Sequence, residues 1–511
     1  MKKNNKKILT VLVCLAIVMI TFAGFYISKR NKANQYLNET MERIDECKYQ
    51  IIWNDEFFKK IKEIKNEYKL RTNKQINNLA DELNNELDNK TCIKEEFIQL
   101  GSNEIDEEVN NLIGSSKDYG VGKLFIYTEY NFGKKLEKPM DYVDCTIYAY
   151  NLSDKMIIDN ESKIKVRGNS TSTLAKKPYN IKFSEKVDLY GFGESKKWSL
   201  LADAMDPTML RNRVSLDFAR EMELEYTSNC EYVELWLDGE YLGNYLLTES
   251  VETGKNRVDI DVDNGDFLFE YESSRVEEDV SYVSTKHGWR FAMSDPEEPD
   301  EETYKYLNNK IQELEDAVYS NNYEDVCKIV DIDSFAKLYI LNEFNKTVDF
   351  GFSSVNFYYK GNKFYAGPAW DFDLSAGNAQ IGNYIDYWFR VDNNNKTVFN
   401  SYEDLWCSNN LIYKQLLQYP EFKAKVKETF SKYSNYIENI YNEGGIIDTL
   451  LDNYGELINN NYSSIDSNGA GWNYIYAINL KPFNTYEENV QYLKSWQKDR
   501  YEYLKGIFEK Y

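Results

Sequence analysis

The sequence predicts an α+β fold. It has a sheet-rich, largely antiparallel N-terminal part and a mainly helical C-terminal part, preceded by a transmembrane helix and a helical stalk. Three observations predict it. Runs of β-branched and aromatic residues, broken by turn signals, extend from Gly120 to Glu270. Apolar residues then recur at helical spacing over 301–345 and again over 401–511. Ahead of both, an uncharged apolar run precedes a stretch, 31–100, that contains neither Gly nor Pro.

Composition narrows the function. With 61 Lys+Arg against 84 Asp+Glu, the net charge of -23 argues against a nucleic-acid partner, which needs basic surface, and suits a basic protein substrate. The single histidine, His287, excludes multi-histidine zinc sites and histidine relays. The seven cysteines are scattered and contain no C-x-x-C pair, so neither a zinc pattern nor a disulfide framework is indicated.

The elements follow in order. Lysines crowd residues 1–7, and Ile8 to Ser28 provide one bilayer's worth of uncharged apolar helix, closed by Lys29 and Arg30. Residues 1–29 are therefore expected to anchor the chain in the cell membrane by a single pass, a cleaved signal peptide with Thr21-Phe22-Ala23 as its site being the alternative, and either leaves the remainder extracytoplasmic. Residues 30–115 read as the stalk, and 116–511 as the main domain. Strands are expected at Lys123–Thr128, Tyr142–Tyr150 and Lys163–Val166. Arg167, Gly168, Asn169, Ser170 and Thr171 follow, a Gly with small hydroxyl residues between two strands, suited to surrounding a phosphate with N–H and O–H groups. On the next strand, Tyr179, Ile181 and Phe183 share one face and Asn180 and Lys182 the other, with Lys176 and Lys177 just upstream. Asp206 and Pro207 read as the N-cap and first turn of a helix carrying Arg211 and Asn212, which can reach a site. Asp238-Gly239 marks a hairpin between Glu231–Leu237 and Tyr241–Glu249, and Asp266–Glu270 is one more strand.

After the helical stretch 301–345 comes a loop with Asp349, then a hairpin turning at Gly361-Asn362. That turn sets Asn356 opposite Gly367, four residues before Asp371, so the hairpin gathers Asp349, Asn356 and the Asp371-Phe372-Asp373 pair. Carboxylates at that spacing suit a hard cation such as Mg²⁺ or Mn²⁺. A phosphate-type loop, a strand lysine, a loop Asp, an Asn and a metal-type Asp pair are, in that order, the parts of a phosphoryl-transfer site.

The same segments resemble the CotH kinases. The resemblance spans about 120–400. It rests on Arg167 to Thr171, Lys176 to Lys182, Trp198 to Asp203, Asp206 with Leu210-Arg211-Asn212, Tyr241-Leu242-Gly243 with Leu246 to Glu249, and Pro368 to Asp373. It departs after Asp349, where Phe350-Gly351-Phe352 stands in place of the family's Trp and Pro. The resemblance implies a divergent protein-kinase-like fold that uses ATP and Mg²⁺ or Mn²⁺ to phosphorylate Ser or Thr of exported or cell-surface proteins, Ser-rich and basic ones fitting best. It implies Asp349 as the catalytic Asp, Asp371 and Asn356 as metal ligands assisted by Asp373, and Lys182 on the α/β-phosphates with Lys177 as the other candidate. The Arg167–Thr171 loop would cover the phosphates, and Leu247, Thr248 and Glu249 would line the adenine pocket. A different ATP-dependent transfer (adenylylation or ligation) and a non-catalytic scaffold are the alternatives.

Overall fold

A computed structural model of the protein describes residues 102–129, 136–137, 141–169, 171–273, 280–378, 400–467 and 485–511, with isolated positions 35, 39, 77, 78, 80 and 81. The apolar segment Ile8–Ser28 and most of the stalk lie outside the described residues. Among the described residues, no helix is long and apolar enough to cross a membrane. Residues 106–128 and 135–511 form one compact unit, and 1–105 with 129–134 fall in another.

After a helix α1 (Ser102–Ser115), the chain enters β1 (Gly122–Thr128), β2 (Val143–Tyr150), β3 (Ile157–Val166), β4 (Tyr179–Val187), β5 (Ser195–Leu201), helix α2 (Arg211–Glu221), β6 (Cys230–Leu237) and β7 (Glu240–Glu249). The alternation expected for β4 holds: Tyr179, Ile181 and Phe183 are buried and Lys182 is on the other face. The largely antiparallel sheet expected here is present, and it is closed on itself. These seven strands close into a barrel in the order β1-β2-β3-β4-β5-β7-β6, sealed by a parallel pairing of β1 with β6. A parallel seam between strands so distant in sequence leaves no local signal. Its chemistry is visible in space. Lys123 and Glu234, partners in register, form a buried ion pair at 3.6 Å. The hairpin residue Asp238 adopts φ 48° and accepts hydrogen bonds from Thr128 N (2.6 Å) and Thr128 Oγ1 (2.7 Å), so one turn caps β6–β7 and fastens the end of β1.

The expected helix start is corrected. Asp206 lies ahead of α2, whose N-cap is Leu210. Its carboxylate reaches forward to accept from Thr208 N (2.9 Å), Leu210 N (3.1 Å) and Arg211 N (2.9 Å), and pairs with the Arg211 guanidinium.

A second sheet runs β12-β11-β8-β10-β9 and is antiparallel throughout. Its strands are β8 (Phe267–Tyr271), β9 (Tyr282–Ser284), β10 (Arg290–Asp295), β11 (Val355–Lys360) and β12 (Lys363–Ala366). Pairing of Phe357 with Ala366 and of Lys360 with Lys363 is the register that the Gly361-Asn362 turn dictates. Phe269, Phe291 and Phe357 pack edge to face and stacked across the buried side, which adds to the area term.

The rest is helical: α3 (Glu301–Val318), α4 (Tyr323–Ile329), α5 (Ile332–Asn345), α6 (Leu411–Leu416), α7 (Pro420–Lys432), α8 (Ser434–Tyr441), α9 (Ile446–Ser467) and α10 (Tyr486–Phe508). Helices α5 and α10 meet at a fully buried ion pair, Glu343 with Arg500 Nη2 at 2.7 Å. Glu343 also accepts from the backbone N–H of Trp406 (2.7 Å) and Cys407 (2.9 Å), and Arg500 donates to the carbonyls of Tyr402 (2.7 Å) and Asp404 (2.6 Å). Removing one partner strands the other charge without water. Arg500→Leu is therefore expected to lower the unfolding free energy by about 3–5 kcal/mol, measured as a shift of the urea midpoint.

Candidate active site

A cavity of about 240 Å³ opens where five segments meet: the β3–β4 loop, the β5–α2 segment, β8 at Glu270, the turn at Asp349 and the loop after β12. Each is shaped by its own sequence. In the first, Gly168 sits at φ 81°, and a Cβ there would collide with Thr171 Oγ1, so glycine is required on both counts. Arg167 N donates to Pro178 O (3.0 Å) and closes the loop. The Asp349 turn follows α5, which ends at Lys346 in the left-handed region, φ 47°. In the last, Asp371 has φ 67°, a conformation that Asp tolerates better than most residues.

The Asp371 loop is docked on the β5–α2 segment more than 150 residues upstream. Phe372 N donates to Asn212 Oδ1 (2.8 Å). Arg211 donates through Nε to Ser375 O (3.0 Å) and through Nη2 to Ala376 O (3.1 Å). Asn378 Nδ2 donates to Met205 O (2.8 Å). The Asp349 loop joins the same ladder, with Val348 N donating to Leu374 O (3.1 Å).

Asp203, Asp349, Asp371, Asp373 and Glu270 all line the cavity, and Arg167 is the one Lys or Arg among its lining residues. Burial, then the charges of Asp371 and Asp349, hold the Asp373 carboxyl well above the usual carboxylate range. Arg167 stacks on Trp370 at 5.0 Å. Burial lowers its pKa, and Asp371 and Asp373 oppose that shift. Burial also pushes the Asp203 carboxyl up and, outside the lining, the Lys176 ammonium down. Lys176 donates to Ala202 O (2.9 Å) and to Asn244 O and lies over the Tyr245 ring, so its head is spent on the fold.

Among the expected residues, the structure brings Arg167, Gly168, Asn169, Thr171, Asp349, Asp371 and Asp373 to this one cavity. Asn356 lies beneath it, sharing a small void with Asp349 and Asp371 and donating from Nδ2 to Pro368 O (3.2 Å). Ser170 lies outside the described residues. Lys182 is not brought in: in register it stands between Lys163 and Lys197, on the face of β4 opposite the buried one. Lys177 turns to Leu136 O (3.1 Å) and Glu137 (3.4 Å). Leu247 and Thr248 are buried within β7, and Glu249 pairs with Arg257 (2.5 Å) and lines a separate cavity of about 210 Å³. The apolar wall of the acidic cavity comes instead from Pro178, Leu201, Met205 and Leu374. Sequence reasoning missed Asp203 and Glu270. Asp203 closes the Trp198–Asp203 segment, a position that would have drawn notice had the loop's docking on α2 been foreseen.

The donor set fits a hard divalent cation. The ionisable donors facing the cavity are carboxylates, with no thiol or imidazole among them, which suits Mg²⁺ or Mn²⁺. Among the described residues no three His, Cys, Asp or Glu form a ready-made cage. Mg²⁺ needs none, because it keeps several waters and takes one or two carboxylates plus phosphate oxygens. Charge crowding gives a direct test. A carboxyl whose folded pKa is raised costs stability once pH exceeds its unfolded pKa, and costs nothing below it. Asp373→Asn is therefore expected to raise the melting temperature of the metal-free protein by roughly a few degrees at pH 7.5. The difference should vanish as pH falls through the ordinary carboxylate range, which a pH series of thermal melts reads directly.

The CotH kinase protein family matches residues 164–504. A comparison with curated proteins finds no match. The matched span contains every residue that lines the cavity. With a docked Asp-Phe-Asp loop facing a glycine turn, and two-thirds of the sequence under one family, the chain belongs to the CotH kinases, a family of kinase-like phosphotransferases.

Proposed function

We propose that the chain is a divergent protein kinase that uses ATP with Mg²⁺ or Mn²⁺ to phosphorylate Ser or Thr side chains of proteins. The observation that carries this reading is the meeting of two Asp-bearing loops with a Gly-containing, arginine-bearing loop around one cavity. Phosphoryl transfer asks the protein for little covalent chemistry. It asks for a held triphosphate, neutralised charge and an oriented acceptor.

In this reading the Arg167–Thr171 loop covers the phosphates, and Arg167, rather than Lys182 or Lys177, is their cation. The wall of Pro178, Leu201, Met205 and Leu374 receives the base, in place of Leu247, Thr248 and Glu249. Asp371 and Asp373 hold the divalent ion, which when bound neutralises phosphate charge. Asn356 supports them from beneath. Asp349 orients the acceptor hydroxyl and takes its proton as the oxygen attacks the γ-phosphorus and ADP departs. The acidic rim, which includes Glu270, and the net charge of -23 favour a basic, Ser-rich protein as acceptor. The lysine-flanked run Ile8–Ser28 supports a membrane-anchored, extracytoplasmic setting.

The test incubates the full-length chain in detergent with labelled ATP, Mn²⁺ and a basic Ser-rich protein. Label should enter the acceptor, and its intact mass should rise by one phosphate. A rise by a nucleotide would instead mean adenylylation. Asp371→Ala and Asp349→Ala should each lower kcat by at least about 100-fold. No transfer together with no nucleotide binding would sink the proposal.

A further inference from the structure

Asn212 bridges two segments of the site through one side-chain amide. Its Oδ1 accepts from Phe372 N and its Nδ2 donates to Asp203 Oδ1, both at 2.8 Å. The orientation of that amide follows from its partners. A backbone N–H can only donate, so the oxygen must face Phe372. With the oxygen there, the nitrogen faces Asp203 Oδ1 and donates to it. All three groups are removed from water, with Asn212 and Asp203 each 5% exposed and Phe372 at 0%. Asp206 and Arg211, immediately beside Asn212, hold the start of α2 against the same loop.

The bond to Phe372 fixes the peptide plane that joins it to Asp371. That plane is the one a left-handed residue must have turned over, and Asp371 is such a residue, at φ 67°. Left-handed backbone at a non-glycine residue costs free energy and persists where its surroundings determine it. Here the determining group is the Asn212 oxygen. Asp203 then acts one step further back. With Asp203 absent, the amide would be held by the Phe372 bond alone, and its nitrogen would lose the partner that locks the side chain in place.

We propose that Asn212, oriented by Asp203, is the positioning residue that sets the backbone of Asp371 and thereby aims its carboxylate in phosphoryl transfer. The claim about transfer rests on the kinase reading above, and the claim about the bond does not.

The test uses full-length protein in four forms: wild type, Asn212→Ala, Asn212→Asp and the double variant Asp203→Asn with Asn212→Asp. Asn212→Asp keeps an acceptor for Phe372 but sets two carboxylates against each other. The double variant restores the chain of donors in reverse, with the amide now at 203 and the carboxylate at 212. Hydrogen exchange read by mass spectrometry should find the Phe372 amide protected in wild type and in the double variant, and fast in Asn212→Ala. Asn212→Asp should lower kcat by about 10–100-fold, with KM for ATP changed far less, and the double variant should recover most of the loss. Unchanged protection of Phe372 in Asn212→Ala would overturn the proposal. So would a double variant no more active than Asn212→Asp when circular dichroism finds both folded. If wild type neither transfers phosphate nor binds nucleotide, the kinase reading fails, while the exchange measurement still decides the positioning bond.

Discussion

One carboxylate and one guanidinium, both at 0% exposure and 2.7 Å apart, hold the helical part of this protein to its site. Glu343 stands on α5 two residues before that helix ends, and Arg500 comes from α10. Between them runs the 402–407 segment, whose backbone carbonyls and N–H groups the pair satisfies. That segment delivers Trp406, which donates to Val348 O (2.9 Å) and packs its ring against Gly351. Asp349 sits between those two contacts. Lys346 adds to the hold by donating to Ser401 O (2.9 Å) and Glu403 O (2.5 Å). A charge pair outside the cavity lining thus supports the turn that carries a cavity carboxylate, through a few bonds.

The cavity itself carries a sharp imbalance, since five acidic residues line it against one arginine. Such crowding is costly to maintain in a fold that has no need of it. The cost is contained by geometry. Asp203 is tied to Asn212, Arg167 lies where the fields of Asp371 and Asp373 reach it, and Asp373 responds by holding its proton more tightly. The cavity is thus left short of positive charge.

Local signals made part of this legible. The Gly361-Asn362 turn set the register that puts Asn356 opposite Gly367, and the bond from Gly367 N to Asn356 O (2.9 Å) is that register. The period of two on β4 correctly separated Tyr179, Ile181 and Phe183 from Lys182. The same period could not say which face of β4 looks toward the site, and the chain's only clue was the nearness of a phosphate-type loop. Barrel closure stayed hidden because β1 and β6 pair in parallel across more than 100 residues. Asn212 was legible as able to reach a site, but its bond to Phe372 and the part of Asp203 were not. Phe372 is 160 residues from Asn212, and no spacing rule connects a buried amide to a turn at that distance.

Sequence distance has a temporal side. Asp203 and Asn212 leave the ribosome first, the Asp371 loop about 160 residues later, and Arg500 only 157 residues after Glu343. A domain that emerges N-terminus first can close its barrel while the Asp349 turn still lacks its support. The Asp349 turn therefore gains its full set of contacts only after the helix that bears Arg500 has been made.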